Sequence, residues 1–217
     1  MPVDTEVLRE IPLFRALDAD ELAHVAAVTV ERHYERGDII ILEGDRSGPL
    51  CYVRLGLIKI FKNSPDGKEQ TLRLITPGHT FNDVPAFDAG ANPASAAALE
   101  SSVVYATAGA GLRRLIVERP AVAEAVVQTL AGALRHMVAL VEDLSFRHVT
   151  ARVAKILLEQ EQTSATHRLT QQEMAAMAGT AREMVGRALK ELENAGAIEL
   201  RQGRVVVRDR ERLRLLA

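Results

Sequence analysis

Arg182, Glu183, Arg187 and Lys190 lie close together in the stretch TAREMVGRALKELENAG, which runs from Thr180 to Gly196. Turned onto a helical wheel at about 100° per residue, these four and Gly186 share an arc of about 140°. Val185, Ala188, Leu189 and Leu192 fall on the opposite side. Arginines at a helix entrance oppose the positive end of the helix dipole, so their position asks for a task other than helix stability. Arginine forks match the paired acceptors of guanine, and glutamate accepts from the cytosine amino group. Gly186 costs roughly 1 kcal/mol of helix propensity relative to Ala. In exchange, it would let the helix approach a surface closely. The bland reading is a solvated face with an incidental Glu183–Arg187 pair at i, i+4 spacing.

The elements around this helix favour the base-reading chemistry. Thr170 with Glu173 has the spacing of a capping box, and so does Thr180 with Glu183. Gly179 stands between them, where the first helix needs a left-handed cap. Two short helices joined by a tight glycine turn make a helix-turn-helix, whose second helix reads through its N-terminal residues. The segment AIELRQGRVVVRD then reads as a basic hairpin with its turn at Gln202–Gly203, which makes the module winged. Upstream, TARVAKILLEQ is an amphipathic helix and QTSATHR a polar loop.

The rest of the chain has to carry and control that module. Residues 4–34 read as helical, with Asp18 or Asp20 as a natural N-cap. Short apolar runs from 35 to 117, separated by glycine-bearing turns, predict a small barrel or sandwich. Residues 119–146 read as one long helix. Val126, Leu130, Ala133, Met137, Leu140 and Leu144 have the spacing of a coiled-coil seam, and Val127, Leu134, Val138 and Val141 form a second line beside it. A stripe this wide predicts one line on the chain's own domain and the other on a twin helix.

Composition fits a soluble globular chain. Hydrophobic residues make up 47% and charged residues 26% of 217. With aromatics at 4% and no Trp, alanine, valine and leucine must fill most of the core. From Thr150 to the end there are 12 Lys+Arg against 9 Asp+Glu, a net of +3 on an acidic body, which points weakly to nucleic acid. No signal pattern opens the chain. The most apolar stretch, 121–144, is broken by Glu124, Gln128, Arg135 and His136. A cytoplasmic address without membrane contact is therefore expected. Cys51 is the sole cysteine; it excludes an internal disulfide and reads as a buried, inert thiol.

On LTQQEMAAMAGTAREMVGRALKELENAGAI, on DLSFRHVTARVAKILLE and on the glycine-punctuated β stretch, the chain resembles the catabolite-activator and fumarate-nitrate-regulator superfamily of bacterial transcription factors. The resemblance implies an α+β fold. A cyclic-nucleotide-binding-type β-roll of jelly-roll form would occupy 1–118, a long dimerisation helix and hinge 119–147, and a winged helix-turn-helix 148–217. It also implies a homodimer on palindromic double-stranded DNA. Arg182, Glu183 and Arg187 match the catabolite-activator pattern and imply a TGTGA-like half-site. Gly186 stands where the other branch usually has serine. Thr170 and Gln172 match positions that hold phosphates, which set register rather than sequence. Residues 160–167 match the region that touches RNA polymerase, and activation is the usual mode. His148 replaces a frequent aspartate cap at the hinge, so the DNA-binding form is expected to be accessible without ligand.

The sensor pocket departs from the family. Its Gly-Glu-Leu positions fall on Asn82, Asp83 and Val84, and its Arg-Ser positions on Pro93 and Ala94, with Ser95 next. A buried phosphate needs a cation or a cluster of donors, and proline supplies neither. The adenine-contacting positions of the long helix are Met137 and Val138. Binding of cyclic AMP is therefore not expected. The open alternatives are an apolar or acidic small molecule, a haem held by candidates among His79, His136, Met137 and Pro2, or no ligand at all. The rival class is a small β-barrel metalloenzyme, which needs two or three histidines and a carboxylate converging in the barrel. The β region offers only His79, with His33 at its edge.

Overall fold

A computed structural model describes residues 3–46, 48–162, 167–201 and 204–217. The chain divides into two compact units, 1–62 with 73–136 and 63–72 with 137–217. The sequence boundaries at 118 and 147 bracket one continuous helix, Pro120–Phe146, and the units divide within it.

The first unit opens with α1 (Thr5–Glu10), a 3-10 turn (Pro12–Phe14) and α2 (Ala19–Ala27). Asp18 caps α2 in a complete capping box with Glu21. Helix then gives way to β1 (Thr29–Tyr34), so the expectation of helix through 34 is corrected. The apolar spacing of HVAAVTV does continue the helical pattern. However, β1 pairs with β8 (Ser102–Thr107) over its whole length, and the Thr29 hydroxyl is bonded to that of Thr107 at 2.9 Å. β-Branched residues with a partner strand take the extended form.

The remaining strands of the roll are β2 (Ile39–Ile41), β3 (Leu50–Leu55), β4 (Ile58–Asn63), β5 (Glu69–Ile75), β6 (Thr80–Phe81) and β7 (Ser95–Ala98). They form two four-stranded sheets, β1-β8-β3-β6 and β2-β7-β4-β5. Most consecutive strands change sheet, which is the winding of a jelly roll. The run LCYV of β3 is apolar at every position because both its faces are buried. Cys51 and Val53 point between the sheets, in a core with Ile58, Ile75, Phe81 and Val104. Leu50 and Tyr52 point outward, under α1, α2 and α4 (Gly109–Glu118). Burial pushes the Cys51 thiol up to about 12, so it stays protonated and unreactive at neutral pH. The short helix α3 (Asp83–Asp88) links β6 to the loop before β7.

Helix α5 (Pro120–Phe146) begins with Pro at its first position, where a missing N–H costs nothing. The second unit continues through α6 (Val149–Gln162), α7 (Gln171–Ala178), α8 (Arg182–Asn194), the hairpin β9 (Ile198–Arg201) and β10 (Arg204–Val207), and α9 (Arg210–Leu215). Val153, Leu157, Met174, Val185, Leu189, Leu192 and Leu213 close one core beneath these elements. The hairpin turn expected at 202–203 lies outside the described residues.

Candidate nucleic-acid interface

The reading helix is positioned by its buried side. Val185, Ala188, Leu189 and Leu192 of α8 are each at most 2% exposed. That leaves Arg182, Glu183, Arg187 and Lys190 exposed together on the other side, as the wheel requires. No ion pair joins Glu183 to Arg187 among the described residues; the Arg187 guanidinium instead lies 3.9 Å from Met184 Sδ. The face is therefore not spent on internal pairing. Gly186 is not demanded by packing either, since a Cβ there would meet only Gln171 Oε1, at 3.9 Å.

The first capping box forms. The Thr170 hydroxyl accepts from Glu173 N at 3.2 Å, and the Glu173 carboxylate accepts from Thr170 N at 2.7 Å. His167 Nε2 lies 3.0–3.1 Å from both Glu173 oxygens. Burial pushes the Glu173 carboxyl up, but the Thr170 donors and His167 outweigh it and hold the group below its ordinary range. Thr170→Ala is expected to cost about 1 kcal/mol, read as a lower chemical-denaturation midpoint. A carboxyl depressed on folding stabilises the native state above its unfolded value of about 4.3 and loses that contribution as pH falls through the lower folded value. The stability gap between the natural chain and Glu173→Gln should accordingly be constant near neutrality and close below about pH 4.

The second capping box does not form. The N-cap of α8 is Ala181, with no side-chain hydrogen bond. Thr180 belongs instead to the end of α7, where its N–H donates to Ala175 O at 3.0 Å. The turn uses residues 179–181, so Glu183 falls one position short of the box and keeps its carboxylate free. Gly179 takes φ +61, and a Cβ on it would strike Leu144 Cδ2 at 2.7 Å and Gln70 Oε1 at 2.8 Å. Here only glycine suits both the left-handed backbone and the space.

Thr170 and Gln172 are exposed beside this turn. Because the Thr170 oxygen serves the cap as an acceptor, its hydroxyl hydrogen remains available to donate. On the wing, Glu199 is tied to Arg201 and Arg208, whose hydrogen bonds, and secondarily their charges, hold its carboxyl down. Arg204, at the start of β10, has no partner among the described residues. The sequence singled out the basic hairpin but not which of its arginines is free.

A further residue went unread. Arg152, in the first turn of α6, donates through Nε to Ala178 O at 2.7 Å and through Nη1 to Arg147 O at 2.6 Å. It therefore caps the carbonyl end of α7 and ties it to the chain leaving α5. The signal was present in TARV, an arginine again placed against the helix dipole. His148, expected at the hinge, is exposed, and its carbonyl accepts from Arg152 N at 3.1 Å. Of the stretch matched to polymerase contact, residues 163–166 lie outside the described residues.

The long helix exchanges the two apolar lines. Val126, read as part of the dimer seam, is 7% exposed and packs in the chain's own core. Ala133 lines a cavity inside the first unit. Leu130 and Leu144 are 38% and 37% exposed, and Met137 and Leu140 are half-buried. The open row is the second line: Val127, Leu134, Val138 and Val141 are 61–66% exposed. The two lines are one residue apart in sequence, about 100° around the helix, and spacing cannot say which of them meets the roll.

In the sensor cassette, Asn82 adopts φ +60 as the N-cap of α3, and its side chain donates to Pro49 O at 2.9 Å. Asp83 opens α3; burial raises its carboxyl, and Thr80, Arg73 and its own backbone N–H only partly offset this. Val84 and Pro93 are exposed and Ala94 half-buried. The buried Ser95 hydroxyl accepts from Glu43 N at 3.0 Å. Lys62 donates to Pro93 O at 3.3 Å and pairs with Glu43 at 2.7 Å. A Cβ at Gly48 would lie 2.1 Å from Asn82 Nδ2 and 2.6 Å from Asn92 Oδ1, so the chain's own loop fills this corner. Among the haem candidates, Pro2 lies outside the described residues and His79 sits at a 180 Å³ cavity. Among the described residues, no group of three or more His, Cys, Asp or Glu could hold a metal ion, and no helix is long and apolar enough to cross a membrane.

A jelly roll joined through a long helix to a winged helix-turn-helix is the architecture of a DNA-binding transcription regulator, not an enzyme. The comparisons agree. Residues 31–119 match the cyclic nucleotide-binding domain family, and residues 151–216 the Crp-like helix-turn-helix domain. The chain is 30% identical over 217 residues to the CRP-like cAMP-activated global transcriptional regulator of Mycobacterium tuberculosis, covering 96% of this chain and 97% of that protein. It is 33% identical over 200 residues to the cyclic AMP receptor protein of Thermus thermophilus, covering 91% and 93%. A solved crp/fnr-family structure from Eubacterium rectale shares the fold, with a TM-score of 0.81 at 20% identity over 96% of this chain and 98% of that one. The chain belongs to the CRP/FNR family of transcription factors.

Proposed function

We propose that this regulator works as a homodimer on a TGTGA-like palindrome, in the cytoplasm, and activates transcription through contact with RNA polymerase. We propose further that it binds DNA without cyclic AMP. The exposed arc of Arg182, Glu183 and Arg187 on α8, unpaired among the described residues, supports the half-site reading, with Lys190, Thr170, Gln172 and Arg204 as phosphate contacts. The exposed row on α5 supports the dimer.

Independence of cyclic AMP is the less obvious part, because relatives at 30% and 33% identity carry cyclic AMP in their names. The observation that carries it is the cassette. Pro93 and Ala94 offer no cation or side-chain donor, Lys62 beside them is already paired with Glu43, and Ser95, whose oxygen accepts from Glu43 N, can add one hydroxyl hydrogen but no charge. Placing a phosphate anion there without charged partners costs several kcal/mol. No haem enters this reading. The cavity at His79, about 180 Å³, lies below the roughly 300–1,000 Å³ usual for even drug-sized ligands.

The test is fluorescence anisotropy of the purified protein on a duplex carrying TGTGA and TCACA half-sites, at fixed moderate salt, with and without cyclic AMP. Equal, specific affinity in both conditions is the expected result. Specific binding that appears only with the nucleotide would overturn the cassette argument. No specific binding in either condition would remove the claim that the DNA-binding form is accessible without ligand.

A further inference from the structure

None of the residues lining the cavity at His79 belongs to the cassette. The cavity's volume is about 180 Å³, and it is a partly open pocket lined by the 3-10 turn, the end of β5, the exposed 78–80 turn and the middle of α5. Its wall has two chemically distinct parts. Pro12, Leu13 and Ala133 are apolar; Arg73 and His79 are not.

Arg73 is the unusual member. It is half-buried, and among the described residues no hydrogen bond or ion pair engages its guanidinium. The acid facing it is Asp83, which acts on it electrostatically without forming an ion pair. Burial raises that carboxyl, and among the described residues its Oδ1 has no hydrogen-bond partner. No carboxylate therefore pairs directly with the guanidinium among the described residues. His79 Nδ1 lies 3.2 Å from the Thr76 hydroxyl. When that hydroxyl donates, the ring proton sits on Nε2, which has no partner among the described residues. The hydroxyl of Thr129, also on the wall, is spent on Ala125 O at 2.9 Å. Among the described residues, the free donors of the cavity are thus the Arg73 guanidinium and one imidazole N–H of His79.

We propose that this cavity binds a short-chain monocarboxylate, its carboxylate on Arg73 and His79 and its tail against Pro12, Leu13 and Ala133. A planar guanidinium fork matches a carboxylate in a bidentate fashion. The guanidinium supplies one fixed positive charge, which a single carboxylate balances. The volume corresponds to about six waters at ~30 Å³ each, enough for a few carbons and no more. The inference stands apart from the cyclic AMP reading, since none of the cassette residues lines the cavity.

The test uses the full-length protein with sodium butyrate as probe, followed by calorimetry at constant ionic strength, with butylamine and inorganic phosphate in parallel. Butyrate should bind saturably and butylamine should not bind. Arg73→Met keeps the side-chain stem and removes the charge; it should weaken butyrate at least tenfold, the range of a charged hydrogen bond. Gly132 provides a second variant that leaves the charge alone. It lines the cavity, and a Cβ on it would meet nothing within 4 Å, so Gly132→Leu should fill the space and abolish binding while improving helix propensity. Both variants are checked for dimer mass and DNA affinity, so that loss of folding is separated from loss of the site. Butyrate that fails to saturate, that binds both variants as well as the natural chain, or that binds more weakly than phosphate would sink the proposal.

Discussion

Arg182→Ala and Arg187→Ala should each abolish preference for the TGTGA palindrome while leaving a folded protein that still adheres weakly to any duplex. A good bidentate base contact supplies about 1–3 kcal/mol of discrimination. A dimer carries each substitution twice, so the expected loss is about 2–6 kcal/mol per variant, or more than about thirtyfold in affinity. The fold should not register the change, because α8 is held by Val185, Ala188, Leu189 and Leu192 and both arginines project away from that core. Glu183→Ala should act differently, relaxing choice at the position opposite cytosine with a smaller loss of total affinity. Lys190→Ala should weaken specific and non-specific duplexes alike and flatten the salt dependence, as a phosphate contact does. Anisotropy on matched and scrambled duplexes at two salt concentrations separates these outcomes. A parallel decline on both duplexes for the arginine variants would reassign them to the phosphates and remove the TGTGA reading.

Leu134→Glu combined with Val138→Glu should convert the protein to a monomer. Both side chains are more than 60% exposed on α5, and two turns of helix with an exposed apolar row are what a twin helix would cover. Placing four carboxylates in the interface of a dimer leaves buried, unpaired charge, a penalty of several kcal/mol per site. Sedimentation velocity should show half the mass, and affinity for the palindrome should fall by orders of magnitude, because one half-site then binds without its neighbour. Val126→Glu makes the control. That residue is buried in the chain's own core, so its substitution should unfold the first unit instead of merely separating protomers. An intact dimer from the double variant would show that the exposed row is not the dimer seam.

Both predictions turn on which face of a helix looks where, and the sequence was uneven in telling this. In α8 it told the whole story. The apolar and charged residues divide cleanly, so amphipathic patterning alone chooses the buried side. In α5 two apolar lines run side by side, and only the roll's position selects Val126 for burial and leaves Val127 open. The capping boxes show the same limit at smaller scale. Thr170–Glu173 and Thr180–Glu183 have identical spacing, yet only the first forms, because the glycine turn consumes Thr180 in ending α7.

By itself, then, the sequence determined the helix-turn-helix, the buried and exposed sides of its second helix, and a cassette with Pro93 and Ala94 in place of an Arg-Ser pair. These are local matters, written in periodicity, caps and the chemistry of single side chains. The tertiary structure alone decided that 29–34 is a strand, which line of α5 is exposed, that Arg152 caps α7, and that Arg73 and His79 meet Pro12 and Leu13 around one cavity. Each of those depends on residues far apart in the chain arriving at the same place, and that information lies in packing between elements, where no spacing within a single element can carry it.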